Sequence, residues 1–275
     1  MKNLSSLLII MVCLYVTGCK KDSGTQVSGP GNITYPANLN YEWEYQTIST
    51  FSYYNQSGGI DSTSYDYPDN SIIKIIKTND SLKNYTGLIE FEIYNKLDPG
   101  NKSYSWYLNS DTSFIAIAYY NPAVTQVIEP KRNFTTRYLT LTEYKGMIHS
   151  FSPDLRTSQK ASFGDSIQFY DIPRKVLAYP LSVGKTWVEL YYPFYRERYI
   201  NNYFSIVAEG QQYSCYEVKV NWPTYRIEFN DYVSLDAGLV KREIISDSVM
   251  IGNEYGDALG YMKAHTTSTL IRRNF

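Results

Sequence analysis

The chain has 275 residues, with 26 basic and 27 acidic side chains and a formal net charge of −1. This balance carries no basic stripe; Lys131-Arg132 and Arg272-Arg273 are isolated doublets, which argues against a nucleic-acid partner because such binding rests on neutralising phosphates. Tyrosine is the outlier, with 29 residues against 11 Phe and 4 Trp, and it suits sheets because its ring packs while its hydroxyl stays wet.

The first element is an export signal. Lys2 precedes an apolar run from Leu7 to Val16, too short for a bilayer span, which needs roughly 20 residues. The run ends in Val16-Thr17-Gly18-Cys19, which resembles the lipobox cut by lipoprotein signal peptidase between Gly18 and Cys19. Residues 1–18 are therefore expected to be removed. Cys19 is expected to carry lipid (a diacylglyceryl thioether and an N-acyl chain such as palmitate), and two or more acyl chains anchor stably. Residues 19–34 read as the lipidated cysteine and a flexible Gly/Ser-rich tether. A coil of about 15 residues spans on the order of 20 Å. Lys20-Lys21-Asp22 looks like the charged export signal of Bacteroidota surface lipoproteins. The expected location is the outer membrane, on either its periplasmic or its surface face.

From residue 35 the chain reads as strands. Ile72-Ile73-Lys74-Ile75-Ile76 is dense in β-branched residues. Ile115, Ile117 and Tyr119 alternate with Ala116 and Ala118, Leu139 and Leu141 with Thr140 and Thr142, and Tyr216, Val218 and Val220 with Glu217 and Lys219. Turn chemistry separates the runs at Ser57-Gly58-Gly59, Thr78–Ser81, Asp98–Asn101, Asn109-Ser110-Asp111, Glu209-Gly210 and Gly252–Asp257. The only helix expected is a short one over 154–160. The fold class is all-β, an antiparallel meander forming a sandwich or half-barrel over 35–275.

An internal echo suggests two pseudo-repeated halves, 35–170 and 171–275. Tyr35-Pro36 precedes Trp43 by the spacing at which Tyr179-Pro180 precedes Trp187. Tyr107-Leu108-x-x-Asp111 is answered by Tyr232-Val233-x-x-Asp236.

Three segments, Tyr179–Trp187 (YPLSVGKTW), Val207–Lys219 (VAEGQQYSCYEVK) and Asp236–Glu243 (DAGLVKRE), carry a resemblance. In that order they resemble a family of uncharacterised β-rich lipoproteins of Bacteroidota, of the TapB-like kind. The chain departs from it at Gln211-Gln212 and Ala237-Gly238. The resemblance implies a β-rich domain and assigns no activity to any residue. Asp61-Ser62-Thr63, Asp80-Ser81-Leu82, Asp165-Ser166-Ile167 and Asp247-Ser248-Val249 also resemble O-glycosylation acceptors of such proteins, although Asp-Ser is equally a turn pair.

Chemistry is sparse. His149 and His265 are the two histidines, and neither lies in a triad-like motif. With Cys13 removed and Cys19 acylated, Cys215 remains alone in a strand, where a buried inert thiol is expected. No phosphate loop, dinucleotide fingerprint, nucleophile elbow or metal spacing occurs, so neither cofactor nor metal is expected. The aromatic groups Tyr53, Tyr54, Tyr104, Trp106, Tyr191 and Tyr192 are candidates for a ligand platform. The reading is a lipid-anchored envelope protein, not an enzyme, that binds or assembles with a glycan, a hydrophobic ligand or an envelope protein, with the membrane engaged through Cys19. The alternative is a carboxylate-based hydrolase of envelope or extracellular polysaccharide, which needs only two acids.

Overall fold

The computed structural model describes residues 34–65, 68–120, 138–149, 167–191, 195–221, 227–253 and 255–275. The signal, Gly18, Cys19, the tether up to residue 33, the 154–160 helix and Asp165-Ser166 lie outside them.

The strands are β1 (Glu42–Asn55), β2 (Ile60–Tyr65), β3 (Asp69–Leu82), β4 (Tyr85–Asn95), β5 (Asp98–Asn109) and β6 (Ser113–Tyr120). After helix α1 (Leu141–His149) come β7 (Gln168–Ala178), β8 (Thr186–Leu190), β9 (Arg196–Ala208), β10 (Gln211–Asn221), β11 (Ile227–Ser234), β12 (Gly238–Gly252) and β13 (Ala258–Arg273). They form one antiparallel, 13-stranded, nearly closed barrel-like sheet in the order β7-β6-β5-β4-β3-β1-β13-β12-β11-β10-β9-β8, with β2 paired to the far half of β1. Two meanders thus meet where β1 pairs β13. At the opposite seam the Trp187 indole donates to the Lys175 carbonyl at 2.9 Å. Trp43 stands second in β1 and Trp187 second in β8, while Tyr107 and Tyr232 lie in β5 and β11, so the echoed residues occupy corresponding strands of the two meanders.

Alternation sorts the side chains. Along β1, Trp43, Tyr45, Thr47, Ser49 and Phe51 are buried; along β13, Met262, Ala264, Thr266, Ser268 and Leu270 are. The interior therefore has two apolar ends around a polar middle. Trp43, Tyr45, Phe91, Phe114, Val233 and Leu270 belong to one end, and Phe51, Phe229, Ile244, Met262 and α1's Tyr144 and Ile148 to the other. A third cluster, with Leu88, Trp106 and Ile117, packs the outer face of β4–β6.

Three local expectations change. Leu139–Thr142 does not form a strand: the Glu143 amide donates to Thr140 Oγ1 at 3.3 Å and the Thr140 amide to Glu143 Oε2 at 2.8 Å, a capping box that starts α1. Thr78–Ser81 is a bulged stretch of β3, with Asn79 at φ +59°, and not a turn; the chain reverses between the paired Leu82 and Tyr85. Asp98–Asn101 already belongs to β5, and the reversal falls at Lys96-Leu97.

Candidate functional site

The mouth of the barrel where β1 begins is closed by residues 35–45. The Tyr35 amide donates to Tyr179 Oη at 2.8 Å, and the Tyr35 ring stacks on Phe114 with centroids 4.8 Å apart. Across the mouth, the Leu239 amide donates to Tyr35 Oη at 3.2 Å. The Trp43 indole donates to the Ala237 carbonyl at 2.6 Å, and the Tyr45 hydroxyl to the Leu239 carbonyl at 2.6 Å. Burial pushes the Tyr35 hydroxyl up to about 12 although the Leu239 amide opposes the shift, so it stays protonated. Gly238 turns at φ +82°, and a Cβ there would lie 2.7 Å from Tyr35 Oη. The Gly-Leu-Val-Lys segment named in the sequence is thus a clasp for the entering chain.

Below the clasp lies a buried ionic network that sequence reasoning missed. Glu189 accepts from Arg198 Nε at 2.5 Å and Arg196 Nη2 at 2.6 Å, with Arg174 Nη2 at 3.4 Å. Asp231 accepts from Arg242 Nε at 2.5 Å and Nη2 at 2.8 Å, and from Arg198 Nη1 at 3.1 Å. Register explains the meeting: Asp231 pairs with Arg242 across β11–β12, and Arg196 and Arg198 share one face of β9. Trp187 pairs with Arg198 across β8–β9, and Glu189, two residues on, lies on the same face and meets them. Burial would raise the Asp231 carboxyl, but Arg242 and Arg198 more than offset it and hold it below its ordinary value. The polar layer continues through Thr47–Ser268 at 2.8 Å and Ser49–Thr266 at 2.9 Å. Each carboxylate thus takes three charge-assisted contacts from guanidinium groups, and together they tie β7, β8, β9, β11 and β12 to one another.

A second pair of acids lies near the surface. Lys77 Nζ bridges Asp80 and Glu90 at 3.5 Å each, and the Trp106 indole donates to Asp80 Oδ2 at 3.1 Å. Burial raises the Glu90 carboxyl above its ordinary value, with Asp80 adding to the rise and Lys77 opposing it. Burial would also raise Asp80, but its hydrogen bonds to the Ser81 amide and Trp106, with Lys77 beside it, leave it lowered. Opposed shifts are the pattern of an acid–base pair. Here one ammonium group sits between the two carboxyls, where a substrate would have to lie.

The candidate platform residues occupy three places. Tyr53 and Tyr54 are neighbours on β1: the Tyr53 hydroxyl donates to the Leu259 carbonyl at 2.9 Å, and Lys263 lies 5.5 Å from the Tyr54 ring. Tyr104 and Trp106 lie 6.4 Å apart on β5, but Trp106 is 4% exposed and packs as an anchor without an open ring face. Tyr191, after β8, is 66% exposed. Tyr192 lies outside the described residues. Cys215 is buried, and burial pushes its thiol up to about 12. His265 is exposed on β13, and the side chain of His149 lies outside the described set. Among the described residues no three His, Cys, Asp or Glu side chains gather as metal ligands, and no helix is long and apolar enough to cross a membrane.

No family model matches the sequence, and no curated protein does. Two solved structures are similar at low levels. One is a presumed lipoprotein from Parabacteroides distasonis, at 10% identity and TM-score 0.31, covering 87% of this chain and 97% of that one. The other is a presumed exported protein with a YmcC-like fold from Bacteroides fragilis, at 9% identity and TM-score 0.35, covering 89% of this chain and 100% of that one.

Proposed function

We propose that this chain is a lipid-anchored cell-envelope protein whose barrel recognises a glycan or another envelope protein on its outer surface. The observation that carries the reading is Cys19 at the end of Val16-Thr17-Gly18-Cys19, some 15 residues before the first buried aromatic, Tyr35. The filled interior supports surface recognition: Trp43, Tyr45, Phe91 and Phe114 occupy one end, and the Glu189 and Asp231 networks the middle. A hydrophobic ligand would need concave apolar space. The role is non-enzymatic, in keeping with interior acids neutralised by arginine.

Membrane fractionation tests the anchor. Wild-type protein should incorporate labelled palmitate and sediment with outer membranes, and Cys19→Ser should do neither. Equal sedimentation of the two would refute the anchor. Screening the purified lipoprotein against glycan classes and cross-linking it in intact envelopes test the recognition; the absence of both a glycan and a reproducible cross-linked neighbour would retire it.

A further inference from the structure

Antiparallel alternation sends a specific set of loops to one end of the barrel. The start of β1, the end of β13, and the turns β3–β4, β5–β6, β7–β8, β9–β10 and β11–β12 share the end that Tyr35 plugs. The described chain begins there, at Thr34. Three apolar side chains stand out on these loops: Leu39 before β1 (50% exposed), Val183 between β7 and β8 (56%) and Val207 beside the β9–β10 turn (71%). Each lies on a short, well-bonded segment. The Asn40 amide donates to the Ile75 carbonyl at 2.9 Å, and the Gly184 amide to the Ile200 carbonyl at 2.8 Å. The β9–β10 turn holds Glu209 at φ +52° and Gly210 at φ +73°, and the Glu209 carboxylate accepts from the Tyr213 hydroxyl. Rigid presentation of apolar tips lowers the ordering cost of inserting them.

We propose that this end of the barrel is a membrane-docking face, on which Leu39, Val183 and Val207 enter the interface of the leaflet that carries the anchor. The proposal rests on the lipidation of Cys19. It deepens that reading by fixing which face meets lipid. The occupant follows from where the chain leaves the fold: about 15 residues separate Thr34 from Cys19, a reach of at most roughly 50 Å even at full extension. A tether that short holds the end near the bilayer at an effective concentration on the order of millimolar. Three modest apolar contacts then suffice, because interfacial binding grows with buried apolar area. The opposite end bears its own exposed Ile60, Leu97, Tyr191 and Tyr255. The choice between the ends therefore rests on where the chain leaves the fold, which directs that end away from the membrane.

Depth-dependent quenching tests this on the full lipoprotein. Single variants Leu39→Cys, Val183→Cys and Val207→Cys, with Leu97→Cys and Tyr255→Cys as opposite-end controls, are labelled with an environment-sensitive fluorophore. Native Cys215 is buried and stays unlabelled. Each is reconstituted into phosphatidylcholine–phosphatidylglycerol vesicles with brominated acyl chains. At least twofold quenching at 39, 183 and 207, with none at 97 and 255, is expected. The reverse pattern, or no quenching anywhere, overturns the docking face. Shielding of the three labels from aqueous iodide only after outer-membrane proteins are added overturns it in favour of a protein occupant. Intact mass separates the two claims: an acylated, unquenched chain overturns docking alone, and an unacylated chain overturns the anchor and docking together.

Discussion

Trp43 and Ala237 lie 194 residues apart, and the indole of the first donates a 2.6 Å hydrogen bond to the carbonyl of the second. That contact joins the first strand of one meander to a turn of the other. The next residue, Gly238, sits under Tyr35 at a positive φ. Gly238→Ala should therefore combine about 1–2 kcal/mol of left-handed strain with displacement of the Tyr35 hydroxyl. A Cβ at Gly210 would meet open space at a similar φ, so Gly210→Ala should show the strain alone. Urea melts should place the Gly238 variant below the Gly210 variant; equal midpoints would mean that the clasp carries no stability.

Glu189 shares its two oxygens among Arg174, Arg196 and Arg198. Glu189→Gln leaves those guanidinium groups in the interior without the carboxylate. A loss of about 3–5 kcal/mol is expected, the usual cost of removing one partner from a buried ion pair. Chemical denaturation at neutral pH measures it. A loss below about 1 kcal/mol would indicate that water reaches the network.

Glu90 gives a pH signature of definite sign. Its folded carboxyl titrates above its ordinary value, so between those two values the folded state binds more protons than the unfolded chain. Its contribution therefore worsens as pH rises through that window and improves as pH falls. Asp231, Asp80 and Glu44 are lowered and act oppositely: their contributions hold above the ordinary carboxylate range and are lost as pH falls through the folded values. Thermal melts across pH 3–7 should show that Glu90→Gln removes the gain on mild acidification and leaves the loss at stronger acid. Superimposable profiles would contradict the burial assigned to Glu90.

Trp106 and Tyr191, both first read as platform candidates, should behave differently. Trp106→Ala empties a packed site and should cost about 3–5 kcal/mol. Tyr191→Ala should stay within about 0.5 kcal/mol, as at an exposed position. Melting curves of the two variants decide it, and a large loss at Tyr191 would mean that the ring is covered.

The sheet was legible because its signals are local. Alternation of apolar residues and Gly-containing turns such as Glu209-Gly210 act within a few residues, and the Trp43/Trp187 echo needed only spacing. The ionic network was not legible, since its pairs, although only 7 to 33 residues apart, meet only once the strand register is fixed. Alternation from Trp187 does place Glu189 inward, but the arginines that it meets there follow from the β8–β9 register. Thr140-x-x-Glu143 was a readable cap, outweighed by the Leu139/Leu141 alternation around it. Trp106 looked available because sequence does not reveal that Leu82 and Tyr85, from the neighbouring hairpin, pack with it on the outer face.

The central claim is the covalent anchor at Cys19, and intact mass spectrometry of the mature protein extracted from envelopes tests it most directly. The account predicts a chain beginning at residue 19, heavier than its peptide mass by a diacylglyceryl group and an N-linked acyl chain. A mature terminus elsewhere, or a residue 19 of unmodified mass, would contradict it.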